Sequence, residues 1–286
     1  MPEIAASPPF STVLFLLAAL ALPGAASAEP VPLEADYTVH VGGVEVLRPK
    51  ARVEMAQGRY RLALSAETEG MLGRFAAWKA DIEAVGALAE GPLPRPERYR
   101  SDSVWREQPR LTVLDYAGGG APRVTADPPP EKEREPVPDA LKPGTVDPMS
   151  ATVAVLDALG DGRGCGGTLP VYDGRQRYDL VLTPLGTETL ATSELAAYAG
   201  PAEACRLEFK PVAGRWKEQG RRDRDGDRSR QRQAETKVWF ARAHEGGPPL
   251  PVRVEMSGFL GAVVIHLSRV APATAEAQGP AVPSRG

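Results

Sequence analysis

Residues 169–183 read LPVYDGRQRYDLVLT and give the clearest hairpin signal in the chain. Asp173 and Gly174 form a turn pair of the kind that joins two antiparallel strands, because both positions accept the positive φ of a tight turn. From Tyr178 to Leu182 an apolar residue stands at every second position, so these side chains share one face of a strand. The expected building unit of the fold is therefore an antiparallel sheet with one buried face.

The same alternation recurs along most of the chain. Gly42-Gly43 separates one pair of alternating runs, and Gln57-Gly58 separates another. Roughly a dozen short strands divided by turn residues are typical of antiparallel all-β architectures. We predict a mainly all-β fold, a curled antiparallel sheet or an open β-barrel, formed by residues 29–270 as a single domain.

One helix is predicted among the strands, near residues 147–160. Asp147 can accept hydrogen bonds from the free N–H groups of the first turn, and Pro148 suits the first helical position. Val153 and Leu156 would fall on the same face of this helix. We expect the helix to cover one mouth of the sheet.

Three segments have a weaker pattern. Residues 71–78 are interpreted as a short helical corner followed by a strand, although Trp78 could equally begin the strand directly. Residues 118–144 contain three consecutive prolines and a mixed charge run, and we interpret them as a loop. Residues 188–199 are interpreted as one more strand.

The first 28 residues have the features of a secretory signal. The apolar block at 13–22 is about half the length of about 20 residues that a membrane-spanning helix needs, and Ala26-Ser27-Ala28 suits cleavage after Ala28. The segment lacks a Lys or Arg, so an uncleaved anchor or a buried apolar segment remains the alternative. We predict a periplasmic protein that does not span the membrane, with a disordered tail at 271–286.

Cys165 and Cys205 are the two cysteines of the chain, and in an exported protein they are expected to form a disulfide. They are too far apart for a Cys-x-x-Cys redox pair. His40, His244 and His266 show no metal-ligand spacing, so we predict no metal site. His40 and His266 alternate with apolar residues and are interpreted as exposed residues on the polar faces of strands.

The sequence contains no motif of a known catalytic class. It lacks Gly-x-Ser-x-Gly and His-Glu-x-x-His, and its Gly-rich stretch near Cys165 lacks the Lys-Ser/Thr of a phosphate-binding loop. The net charge of −3 argues against a nucleic-acid-binding face. Asp223, Asp225 and Asp227 only partly match a calcium loop. We therefore predict no catalytic residues and no cofactor, and we interpret residues 131–135 and 217–234 as solvated charged loops.

Aromatic residues distributed over the predicted strands are the candidates for a binding surface. A curled sheet that is too wide for its own side chains leaves a concave groove, which aromatic residues can line. The alternative is ordinary packing of the sheet. The groove candidates are Tyr37, Tyr60, Trp78, Trp105, Tyr178 and Trp239.

Six short motifs occur in an order that resembles a known family. They are Tyr37-x-Val39-x-x-Gly42-Gly43, Gly70 after Ala66-x-Thr68, Pro96-x-x-Tyr99, Asp147-Pro148-Met149-Ser150, Val171-Tyr172-Asp173-Gly174 with Arg177-Tyr178, and Ala204-Cys205. Over about residues 33–270 the chain resembles the domain-of-unknown-function 3108 family of exported bacterial proteins. The resemblance implies a curled antiparallel sheet similar to lipoprotein-carrier half-barrels, and it carries over no catalytic residues.

These observations favour a non-enzymatic protein of the cell envelope. Its concave face would bind a lipid, another apolar ligand or a segment of a partner protein. One alternative is a structural or interaction protein that contacts envelope partners through the charged loops at 131–135 and 217–234. A third hypothesis, an envelope hydrolase, needs a clustered acid–base pair that the sequence does not reveal.

Overall fold

The structure is a computed structural model that describes residues 31–68, 77–118, 120–217, 236–258 and 261–274. Several predictions lie outside these ranges. They are the signal segment at 1–28, the helical corner at 71–76, the partial calcium motif with most of the charged loop at 217–234, and the tail beyond residue 274.

The described residues form fourteen strands and one α-helix. The first eight strands are β1 (Leu33–Val41), β2 (Val44–Leu47), β3 (Lys50–Ala56), β4 (Arg59–Glu67), β5 (Trp78–Ala87), β6 (Arg95–Trp105), β7 (Gln108–Asp115) and β8 (Arg123–Asp127). The helix α1 (Pro148–Gly160) follows, and then β9 (Gly167–Tyr172), β10 (Arg177–Leu190), β11 (Gly200–Ala213), β12 (Thr236–Ala241), β13 (Leu250–Gly258) and β14 (Gly261–Pro272). In the described ranges no helix is long and apolar enough to cross a membrane.

All strands belong to a single antiparallel sheet. Its order is β8-β7-β6-β5-β4-β3-β1-β14-β13-β12-β11-β10-β9, with β2 paired to β1 outside this path. The predicted turns at 42–43, 57–58 and 173–174 each join strands that pair with one another. The prediction of a curled antiparallel sheet is therefore confirmed.

The two edge strands, β8 and β9, approach each other across a gap that residues 128–147 fill, and we call this region the seam. Gly174, between β9 and β10, lies so close to β7 that an added Cβ would be 2.7 Å from Cγ2 of Thr112. Along the free edge of β9, the N–H of Tyr172 donates to the carbonyl oxygen of Val146 at 2.9 Å. The sheet thus curls until its ends nearly meet.

Helix α1 closes one end of the curled sheet, as predicted. The Asp147 Oδ1 atom accepts hydrogen bonds from the N–H groups of Met149 at 3.0 Å and Ser150 at 2.8 Å, which caps the helix. Val153 and Leu156 are fully buried, and α1 packs against β4, β5 and β9. Just beyond the helix, Cys165 forms the predicted disulfide with Cys205 of β11, with their Cα atoms 6.4 Å apart.

Two boundaries differ from the prediction. Residues 118–144 are not wholly loop, because they contain β8 and a 3-10 helix at Asp139–Leu141. Residues 188–199 are not a separate strand, because β10 continues to Leu190 beyond a register irregularity between Pro184 and Gly186. A bulge of this kind lets one strand continue where the turn residues indicate its end.

The prediction that His40 and His266 are exposed is wrong. Both residues are more than nine-tenths buried, and their rings contact edge to face with centroids 5.9 Å apart. Next to His266, the carbonyl oxygen of Leu267 accepts a hydrogen bond from Ala197 N at 2.7 Å, so the 191–199 segment lies against β14. Alternation indicates which face a residue occupies but not whether another segment covers that face.

The charged run at 131–135 is not a free solvated loop either. The N–H of Glu135 donates to the carbonyl oxygen of Arg215, and the N–H of Lys217 donates to that of Glu133, both at 2.7 Å. Arg134 is largely buried between these segments. The run is therefore fixed in the seam by backbone pairing with residues 215–217.

Candidate functional site

The burial of the inward side chains on the concave face differs between the two ends of the sheet. At the end covered by α1, the inward residues of β1, β4, β5 and β7 are almost completely buried, as Leu33, Leu62, Ala84 and Leu114 show. At the opposite end, which we call the open mouth, most inward apolar residues are only partly buried. They include Leu64, Trp78, Ile82, Leu180, Leu207, Val254 and Ile265, whereas the small Ala66 and Ala80 are buried.

The pairing register places several of these residues in pairs on neighbouring strands. Leu64 lies opposite Ile82 on β4 and β5, and Leu180 lies opposite Phe209 on β10 and β11. Phe209 is 46% exposed, although Cys205, which lies on the same face of β11, is buried in the disulfide. The open mouth is therefore a concave apolar surface that the described part of the chain leaves partly accessible.

The structure brings four of the six aromatic groove candidates to well-defined places on this concave face. Trp78 and Trp105 are direct cross-strand neighbours at the rim of the open mouth, where Trp105 is 45% exposed. Tyr60 and Tyr178 lie deeper and are buried, and the Tyr178 ring is 4.4 Å from that of Phe209. The two tryptophans can thus contact a ligand at the rim, while the two tyrosines form the floor.

The remaining two candidates lie elsewhere. Tyr37 is inward and half-buried, opposite Leu267 in the middle of the sheet. Trp239 lies on the outer face, where its Nε1–H donates to Glu188 at 2.9 Å and the Lys237 Nζ atom lies 4.5 Å from the ring centre. Trp239 therefore stabilises the outer surface and does not line the concave face.

A buried polar network connects the floor of the concave face to α1. The Tyr60 hydroxyl and Ser150 Oγ are 2.6 Å apart, and Ser150 Oγ also donates to Asp147 Oδ2. Burial raises the pKa of Asp147 to about 6, although hydrogen bonds from Ser150 and Met149 act in the opposite direction. Only the capping role of Asp147 could be predicted from the sequence, because Tyr60 lies ninety residues before Ser150 in the chain.

Other tyrosines surround this network. Burial raises the pKa of Tyr99 to about 12 and raises that of Tyr116 further. The Tyr116 hydroxyl is buried and has no hydrogen-bond partner among the described residues. The floor of the concave face thus contains several buried tyrosine hydroxyl groups.

Three arginines of the seam surround one carboxylate. The Glu131 oxygens lie 3.2 Å from Arg134 Nε, 3.3 Å from Arg110 Nη2 and 3.7 Å from Arg175 Nη1. Burial alone would raise the pKa of Glu131, but hydrogen bonds and the charges of Arg134 and Arg175 hold it below its usual value. We call Arg110, Arg134 and Arg175 the seam arginines. Their clustering is not predictable from the sequence, because they come from three separate segments.

Two further polar features of the described residues are an outer cleft and a group of possible metal ligands. An outer cleft of about 300 Å³ lies between β5 and β8 and is lined in part by Asp81, Asp102 and Asp127. Within the described ranges, the only three metal-ligating side chains that come together are those of Cys165, Glu203 and Cys205. Because both sulfur atoms belong to the disulfide, this group is not a metal site in the oxidised protein.

Comparison with known proteins finds a matching family model and similar solved structures. Residues 36–268 match the family described as "Protein of unknown function (DUF3108)". A comparison with curated proteins finds no match. Among solved structures, the crystal structure of a beta-barrel-like protein of domain of unknown function DUF1849 from Brucella abortus is similar. It has a TM-score of 0.47 and 10% sequence identity, and the alignment covers 84% of this chain and 97% of that chain.

Proposed function

Since the chain belongs to the DUF3108 family, whose function is unknown, we propose a function from the geometry of its own concave face. The protein is a non-enzymatic binding protein of the bacterial cell envelope. It holds the apolar part of a lipid or another amphipathic ligand in the open mouth.

The observation that carries this proposal is the graded burial along the concave face. The inward residues under α1 are buried as in any core, whereas Ile82, Leu180 and Leu207 at the open mouth keep part of their apolar surface accessible. Contiguous exposed apolar surface in a concave position is typical of ligand sites. Each methylene that a ligand buries there contributes about 0.8 kcal/mol. A chain of about ten methylenes would therefore gain about 8 kcal/mol before the entropic cost of association.

The disulfide supports a location outside the cytosol. Cys165 and Cys205 are both buried and bonded, and disulfides form and persist mainly in oxidising compartments such as the periplasm. Together with the secretory features of residues 1–28, this supports a periplasmic protein.

A matched pair of variants on β10 tests the proposal. Leu180 and Val181 are adjacent and half-buried, but Leu180 faces inward with Tyr178, whereas Val181 faces outward. We expect a fluorescent fatty acid to bind the wild-type protein. Leu180→Gln replaces two methyl groups by a polar amide, which is equivalent to losing about one to two buried methylenes, so it should weaken this binding about four- to fifteenfold. Val181→Gln should leave the binding unchanged.

Native mass spectrometry of the protein isolated from periplasm should also detect a co-purifying lipid. Absence of acyl-probe binding by the wild-type protein, or equal loss in both variants, would contradict the proposal.

A further inference from the structure

In the described part of the seam, three guanidinium groups lie close to two carboxylates. Two carboxylates, Glu131 and Asp173, face the three guanidinium groups. The Asp173 carboxylate already accepts hydrogen bonds from the backbone N–H groups of Arg175 at 2.8 Å and Gln176 at 2.6 Å. Among these five side chains the guanidinium groups outnumber the carboxylates by one.

The seam arginines also keep unused hydrogen-bond donors. A guanidinium has five N–H donors in a planar fork that matches a carboxylate or a phosphate. Arg134 uses Nη1 for the carbonyl oxygen of Gly214 at 2.8 Å, and Arg175 uses Nη2 for that of Pro128 at 2.8 Å. The Arg175 Nη1 atom is buried and has no hydrogen-bond partner among the described residues. An acidic group could accept from these remaining donors.

One side of this cluster is accessible to solvent. The side chains of Arg134 and Arg175 are 9% and 13% exposed, whereas that of Arg110 is 44% exposed. A ligand would therefore approach along Arg110, with the two more buried arginines behind it.

The register places Arg110 beside the open mouth. Arg110 of β7 lies opposite Ser103 of β6, and Ser103 lies opposite Ala80 of β5. Toward the rim, the next inward pair is Trp105 and Trp78. Adjacent strands are about 4.8 Å apart, so Arg110 is about 10 Å from the apolar surface of β5. This distance is within the length of a short acyl chain.

We propose that the ligand is an anionic amphiphile, whose acidic headgroup binds the seam arginines while its apolar chain lies in the open mouth. This inference rests on the proposed function, because it names the chemical class of the ligand for the same concave face. A neutral headgroup would offer these guanidinium groups no anionic acceptor for donors such as Arg175 Nη1, and a free anion would leave the apolar surface exposed.

The test compares three probes on the full chain by isothermal titration calorimetry, each below its micelle concentration. Dodecyl phosphate carries the chain and the charge, dodecyl maltoside carries the chain alone, and inorganic phosphate carries the charge alone. We expect dodecyl phosphate to bind at least tenfold more tightly than either of the others. Arg110→Gln should remove that preference and leave the affinity for dodecyl maltoside unchanged.

Arg123→Gln is the matched control. Arg123 lies on the neighbouring strand β8, is 78% exposed and pairs with Asp115 outside the cluster. Its replacement should leave all three affinities unchanged, and circular dichroism should show that both variants fold.

Each other outcome has a defined meaning. Equal binding of the phosphate and maltoside amphiphiles would overturn the inference but leave the proposed function standing. Inorganic phosphate binding as tightly as dodecyl phosphate would also overturn the inference, because the chain would contribute nothing. Equal losses of affinity for both amphiphiles in Arg110→Gln would overturn the inference, because Arg110 would then not distinguish a charged headgroup from a neutral one. No binding of either amphiphile would contradict the proposed function itself.

Discussion

Replacing Asp147 by Asn separates the capping role of this residue from its buried charge. The Asn side chain keeps an oxygen that can accept from the N–H groups of Met149 and Ser150, and Asn and Asp are similarly good caps. Its amide nitrogen would donate to Ser150 Oγ, which would then donate to the Tyr60 hydroxyl in place of the present arrangement. The network is retained with its donors reversed, and the carboxylate charge is removed.

The expected change in unfolding free energy follows from the pKa of Asp147. Its folded-state value is about 6, against 3.8 for the unfolded chain, so the folded protein binds this proton more tightly. The difference of about two units corresponds to about 3 kcal/mol. Because the folded value is raised, the stabilisation is complete below about pH 4 and is lost as the pH rises to about 6. Asp147→Asn should therefore become more stable relative to wild type across this window, by most of about 3 kcal/mol.

Urea unfolding at pH 4, 5, 6 and 7, followed by tryptophan fluorescence and near-UV circular dichroism, measures this difference. Comparing the two proteins at each pH cancels the other titrating groups that they share. Asp81→Asn is the control, because Asp81 is exposed on the outer face of β5. A difference in unfolding free energy that stays constant from pH 4 to pH 7 would refute the reasoning, since Asp147 would then not titrate differently in the folded state.

Three further predictions concern other parts of the sheet. Replacing both Cys165 and Cys205 by Ala should lower the unfolding free energy by about 4 kcal/mol, the chain-entropy value for a loop of this length, and urea titration measures it; a loss below about 1 kcal/mol would contradict the estimate. Burial lowers the pKa of His266 below its ordinary value, so the contribution of His266 to stability should decrease as the pH drops below about 6.5, opposite in sign to that of Asp147. His266→Gln should remove that part of the acid loss, and identical pH profiles of the two proteins would exclude it. Gly214→Ala should destabilise the seam and lower the melting temperature by several degrees, because φ is +79° and the new Cβ would lie 2.3 Å from the Arg175 carbonyl oxygen; an unchanged melting temperature would argue against this.

The features that the sequence predicted well depend on local chemistry. The Asp173-Gly174 turn and the Asp147-Pro148 start of α1 are each specified by neighbouring residues, and both are found as expected. The curled antiparallel sheet follows from many such turns in series, since consecutive strands joined by short turns pair with each other. The disulfide could be predicted because the chain offers only one possible pair.

The features that were missed depend on contacts between distant segments. Strand β8 is short, largely polar and flanked by prolines, so its pattern resembles a loop, and only pairing with β7 makes it a strand. The burial of His40 and His266 depends on how other parts of the chain cover β1 and β14. Glu131 and Arg175 have ordinary surface positions in the sequence, and only the curling of the sheet, which brings the β9–β10 turn to β7, places them together. Alternation specifies a face, but it does not specify what lies across from that face.

The attachment of α1 on both sides has a consequence for exchange of any cargo. Just before the helix, Val146 is paired with β9, and shortly after it Cys165 is covalently bound to β11. The helix therefore cannot swing away as a trapdoor unless the disulfide is reduced. Under the proposed function, the open mouth would then be the route by which a ligand both enters and leaves. A donor and an acceptor of its cargo would then have to dock at the same rim in turn and could not bind together.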